Sequence, residues 1–208
     1  QDKFSRCKTG GLLIVLGPVT RNSDVYQMLG AQSNSSYFGY FKELINSLPK
    51  YILEQTRVRP KNASAVGKPA RVSPQQISEL LGNLVEIDTG GSSLSEMQSQ
   101  NRLSVVTYNE TTIPTNLLAG YPTVAMWDPN YVRLTTAASI VYDELFKAKI
   151  LHYTPESAAQ HIADIWENVD LWWTSEEVLQ ARETFCENFA RHSKFPALEI
   201  AKALADYR

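Results

Sequence analysis

Three stretches of this 208-residue chain combine residue types that suit an anion. In Val106-Thr107-Tyr108-Asn109-Glu110-Thr111-Thr112 an apolar run passes directly into small polar residues that open a helix. The first N–H groups of a helix lack intrahelical acceptors, and the helix dipole is positive there. Asn109, Glu110, Thr111 and Thr112 therefore mark a place for a phosphate or carboxylate, with two threonine hydroxyls as further donors. The same residues also read as an ordinary cap, Asn109 or Thr111 accepting from the backbone.

Thr89-Gly90-Gly91-Ser92-Ser93 sets two glycines, which let a backbone approach a ligand closely, ahead of serines that open a helix. It has neither the lysine nor the spacing of a Walker motif, and it is no dinucleotide fingerprint. Arg57 and Arg59 alternate on one strand and share a face. Arg59 stands at the strand's carboxyl end, where a guanidinium either clamps a phosphate or meets solvent as an ordinary surface arginine.

Other chemistry finds little support. His152, His161 and His192 are far apart, without metal-ligand spacing, and read as structural. There is no GxSxG elbow and no Cys/His pairing. Cys7 and Cys186, at opposite ends, fit neither a disulfide framework nor a zinc cluster and read as cytosolic free thiols. Glu110 and Asp128 are the carboxylates best placed for acid–base work, each at an expected strand end, but neither has a partner visible in the sequence.

The elements that must position these residues alternate. Gly11 to Val19 reads as a strand buried on both faces, because it carries five consecutive apolar residues after Gly10-Gly11. Tyr37 to Gln55 reads as an amphipathic helix that Pro49 breaks or kinks. Thr56–Pro60, Val85–Asp88, Leu103–Tyr108 and Pro122–Trp127 read as further strands, with a helix from Ser73-Pro74 carrying Ile77, Leu80 and Leu81 inward. A short helix around Leu94 and Met97 follows, then one over Thr111–Ala119 stopped by Gly120. From Tyr131 onward the pattern turns helical, with Trp166, Trp172 and Trp173 expected to anchor the closing helices and Val178, Leu179, Phe185 and Phe189 buried.

Five strand-like segments alternating with helices predict an α/β, Rossmann-like, doubly wound parallel sheet followed by closing C-terminal helices. Ligands of such sheets bind beyond the carboxyl ends of the strands, at the topological switch point. That selects the loops Thr20–Ser36, Arg59–Ser73, Thr89–Ser93, Asn109–Thr112 and Asp128–Asn130. Composition agrees with a globular enzyme or binding domain: 43% hydrophobic, 20% charged, formal net charge −2. No basic excess speaks for nucleic acid, and no apolar run approaches the roughly 20 residues of a membrane span.

Leu103 to Pro129 (LSVVTYNETTIPTNLLAGYPTVAMWDP) resembles the nucleotide-binding half of GT-B glycosyltransferases, in which a strand enters a Ser/Thr-rich helix start and the helix ends at Gly. It resembles more closely still the bacterial transferases of surface-carbohydrate biosynthesis, through Thr111-Thr112, Gly120-Tyr121-Pro122-Thr123 and Trp127-Asp128-Pro129. The tail from Ile150 to Ala159, Trp172-Trp173 and Phe185-Cys186 fits as well, so the likeness covers roughly residues 85 to 190.

The resemblance implies a donor-binding C-terminal domain. Residues 1–130 would form a nucleotide-sugar-binding core and 131–208 a helical extension packed on it. An N-terminal acceptor domain would lie upstream in the full-length protein. Thr89, Gly90, Gly91 and Ser92 would meet base or ribose, Asn109, Glu110, Thr111 and Thr112 the donor phosphate, and Arg59 would add a cation. It implies no cofactor and no metal, a glycan or lipid-linked acceptor, and a place in the cytoplasm at the inner face of the membrane. Two positions depart from the pattern. Glu110 stands where relatives carry Gly or Ser, and Thr115 stands where many carry Glu. A non-catalytic α/β ligand-binding or assembly module, and a sugar-nucleotide epimerase of the same architecture, are the alternatives.

Overall fold

The computed structural model describes residues 7–17, 34–60, 74–191 and 193–206. Six parallel strands form one sheet in the order β3-β2-β1-β4-β5-β6. They are β1 (Gly11–Val15), β2 (Thr56–Arg59), β3 (Glu86–Ile87), β4 (Asn101–Val106), β5 (Thr123–Met126) and β6 (Leu151–His152). This is the doubly wound, Rossmann-like α/β fold that the alternating pattern predicts. The chain runs outward from β1 in one direction and returns to start again at β4, so the switch point lies between β1 and β4.

The continuous apolar run of β1 is explained by burial on both sides. Leu12, Ile14 and Leu16 enter one core while Leu13 and Val15 enter the other. Successive side chains of a strand point to opposite faces, so a strand covered on both faces has no polar alternation. The first core is closed by α1 (Asn34–Ser47), α2 (Lys50–Leu53), α3 (Pro74–Leu80) and α7 (Pro155–Ile165). The second is closed by α4 (Leu94–Gln100), α5 (Thr112–Ala119), α6 (Thr136–Lys147) and α9 (Glu176–Phe189). Trp166 and Val169 join the first core and Trp173, in α8 (Val169–Trp173), joins the second.

Local signals set several boundaries. Pro49 ends α1 and caps α2. Ser93 and Glu96 form a capping box on α4. Gly120 stops α5 in the left-handed region at φ +75°, which an L side chain adopts only with strain. Thr154 caps α7 by accepting from the Ser157 N–H, with Pro155 in the first turn.

Four readings change. A sixth strand, Leu151–His152, pairs with β5 inside the segment expected to be helical. Two residues are too few to show a period, and their pairing with Ala125 and Met126 in the sheet defines them. Leu80, Leu179 and Phe189 are exposed rather than buried. In α9 the buried stripe is Val178, Ala181 and Phe185, and Leu179 sits about 100° away from Val178 around the helix. α10 (Pro196–Asp206) is a further helix with no buried residue. The strand at Gly11 ends at Val15. Leu16 and Gly17, expected to continue it, are not strand, and Pro18 and Val19, most of the Thr20–Ser36 loop, the Lys61–Ser73 loop with its Ser73 cap, and His192 lie outside the described residues.

Candidate anion-binding site

β2 alternates buried Thr56 and Val58 with half-buried Arg57 and Arg59, so both arginines lie on the α4 side of the sheet. Each meets an acid from the neighbouring strand region. Arg57 pairs with Glu86 at 2.8 Å, and Arg59 Nη1 lies 3.0 Å from Asp88 Oδ2. The same Nη1 is within hydrogen-bond distance of the Ser92 carbonyl (2.9 Å) and Met97 Sδ (2.8 Å). Asp88 spends its second oxygen on the Gly90 N–H at 3.0 Å, a local turn that shapes the glycine loop.

A cleft of about 430 Å³ opens at the carboxyl ends of β1, β2 and β4. Val15, Pro60, Leu94 and Tyr108 supply its apolar wall, and Arg59, Gly90, Gly91, Ser92, Ser93 and Thr112 its polar one. The structure thus brings together Arg59, Gly90, Gly91, Ser92 and Thr112 from three separate stretches of sequence. Thr112 is mostly buried, and its hydroxyl is 2.5 Å from Tyr108 Oη.

The other candidates point elsewhere. Thr89 is exposed beside the cleft without lining it. Asn109 Oδ1 accepts from Tyr142 Oη at 2.6 Å, which ties it to α6. Thr111 is exposed and takes the cap position of α5 in helical conformation, with no side-chain cap bond; its carbonyl accepts from Thr115 Oγ1 at 2.7 Å. Neither Asn109 nor Thr111 is therefore the side-chain cap of this helix. Glu110 is half-buried, and its charge acts on Tyr37 across the switch point. Burial pushes the Tyr37 phenol well above its ordinary range, with Tyr108 and Glu110 adding to the rise, so the phenol keeps its proton.

The carboxylate of Asp128 is engaged locally, accepting from the Asn130 backbone and side chain, both at 2.9 Å. His152 is structural: Nε2 faces the Lys149 carbonyl at 3.0 Å and must carry the proton, so Nδ1 accepts from Ser157 Oγ at 2.8 Å. His161 stacks on it at 5.2 Å between centroids and meets Trp172 edge-on. Burial lowers both, His152 to about 4 and His161 to about 3, and both are neutral at pH 7. Cys7 and Cys186 are free thiols. Among the described residues no group of three His, Cys, Asp or Glu is arranged to hold a metal ion, and no helix is long and apolar enough to cross a membrane.

Sequence reasoning missed Asp88 and Tyr108. Asp88 follows a strand only two residues long, and its bond to Arg59 joins positions 29 apart in the chain. The available signal was the matched alternation of Arg57/Arg59 with Glu86/Asp88.

A family model described as LIC12162 family transferase matches residues 2–204. No curated protein matches the chain. Among solved structures, the chain is similar to that described as the crystal structure of WaaG, a glycosyltransferase involved in lipopolysaccharide biosynthesis, at 14% identity and a TM-score of 0.43. That likeness covers 88% of this chain and 44% of the WaaG chain, so the chain spans less than half the length of that protein.

Proposed function

Because the chain belongs to the LIC12162 family of transferases, we propose that it is the donor-binding half of a GT-B glycosyltransferase. It holds a nucleotide-sugar while the sugar passes to a bacterial surface-glycan or lipid-linked acceptor. The observation that carries this reading is the convergence of Arg59, Gly90, Gly91, Ser92 and Thr112 on one cleft at the carboxyl ends of the strands. The apolar wall of Leu94, Pro60 and Tyr108 suits a base or ribose, and the polar wall suits phosphate. The leaving nucleotide's charge is stabilised by Arg59 and by the start of α5 beside Thr112, an electrostatic role that involves no metal or other cofactor.

In this reading a second α/β domain of the full-length protein holds the acceptor, and the enzyme works in the cytoplasm at the inner face of the membrane. A thermal-shift series with CMP, UDP, GDP and dTDP tests it. One nucleotide should raise the midpoint in a dose-dependent way. Absence of any shift at millimolar concentration would leave a non-catalytic α/β module as the better description.

A further inference from the structure

Arg59 lines the cleft, but the acid that holds it, Asp88 at 3.0 Å from its Nη1, is not among the lining residues. We infer that Asp88 is a positioning residue that sets the affinity of the cleft for phosphate groups through Arg59; this rests on the anion-binding reading given above. Both side chains are largely withdrawn from solvent, at 23% exposure for Arg59 and 10% for Asp88, so their charges are poorly screened. An incoming phosphate therefore meets a neutralised pair rather than a free cation. It must share the guanidinium with the Asp88 carboxylate, 3.0 Å from Nη1, which lowers its affinity and eases release of the leaving nucleotide.

Asp88 also has a second task that keeps the pair in place. One oxygen accepts from Gly90 N–H and the other from Arg59, so the acid couples the glycine loop to the cation. Asn in its place has a single acceptor oxygen. The local turn onto Gly90 is the cheaper bond to keep, so Asp88→Asn withdraws the charged acceptor from Arg59. Arg59 still has the Ser92 carbonyl to fix its direction. The substitution leaves the cleft with one more net positive charge and little change in shape.

The test is calorimetric titration of inorganic pyrophosphate and, separately, UDP into wild type, Asp88→Asn, Arg59→Gln and the double variant at two salt concentrations. Pyrophosphate should bind Asp88→Asn about tenfold more tightly than wild type, with a steeper salt dependence. The gain should vanish in the Arg59→Gln background, which a merely structural role for Asp88 would not produce. If Asp88→Asn fails to fold, Asp88→Ser, which retains one oxygen for Gly90, makes the same prediction. Unchanged or weaker pyrophosphate binding, or a gain that survives Arg59→Gln, overturns the inference; the donor-domain reading still stands if a nucleotide of the panel binds. Pyrophosphate binding that tightens as stated while no nucleotide binds supports the inference and removes the donor-domain reading. No binding of either ligand to any variant removes both.

Discussion

The phenolic oxygen of Tyr37 lies 2.5 Å from Oγ1 of Thr107, across the point where the sheet reverses direction. It also accepts from the Gly17 N–H at 2.8 Å, and the Thr107 hydroxyl reaches the Val15 carbonyl at 3.2 Å. The donors and acceptors leave one consistent direction: Gly17 N–H to Tyr37, Tyr37 O–H to Thr107, Thr107 O–H to Val15. A helix side chain thereby ties the ends of β1 and β4 and closes the α1 side of the switch point. The open cleft is left on the α4 and α5 side, where Val15, Leu94 and Tyr108 belong to the second core.

Tyr37→Phe removes the middle of that chain and leaves a buried Gly17 N–H without its acceptor. An unfolding free energy lower by about 2 kcal/mol is expected, since an orphaned buried donor costs more than an average hydrogen bond. Urea denaturation measures it, and a loss below about 0.5 kcal/mol would show that the bridge contributes little.

His152 and His161 make folding sensitive to acid. Their folded values, about 4 and about 3, lie below the ordinary 6.5, chiefly because burial disfavours the charged ring. The unfolded chain then binds more protons as pH falls, so the stability is present above pH 6.5 and is lost as pH drops through the folded values. A loss on the order of 3 kcal/mol for each histidine between pH 7 and pH 4 follows from shifts of this size. His161→Phe should flatten that acid limb in chemical denaturation, and an equally steep limb in the variant would assign the effect to other groups.

Thr112→Val keeps the shape of the α5 start and deletes its hydroxyl. Nucleotide affinity should fall about fivefold, the equivalent of one hydrogen bond, while unfolding stability changes by about 1 kcal/mol or less. Thr112→Ser should restore binding. Normal affinity in Thr112→Val would move the phosphate away from this helix start.

Much of the fold was written locally. A five-residue apolar run after two glycines fits a strand covered on both faces, Pro49 and Gly120 end helices, and Thr154-Pro155-Glu156 opens one. These signals act over a few residues, so they survive without knowledge of neighbours. β6 and the true burial of Leu179 and Phe189 did not, because a two-residue strand exists only through its partner and a helix has one buried stripe whose direction is set by what it packs on.

The candidate site divides in the same way. The sequence by itself determined which residue types could meet an anion: glycines and serines at 90–92, threonines at 111–112, an arginine at a strand end. Only the tertiary structure decided which of them face one cavity. Thr111 and Thr112 are adjacent, yet a helix turns successive residues about 100° apart, and one points to solvent while the other enters the cleft. Asn109 was claimed by Tyr142, and Arg59 was joined to Asp88, each through contacts spanning about thirty positions of chain. Such pairings depend on how strands are ordered in the sheet, and strand order is a property of the whole packed chain rather than of any segment in it.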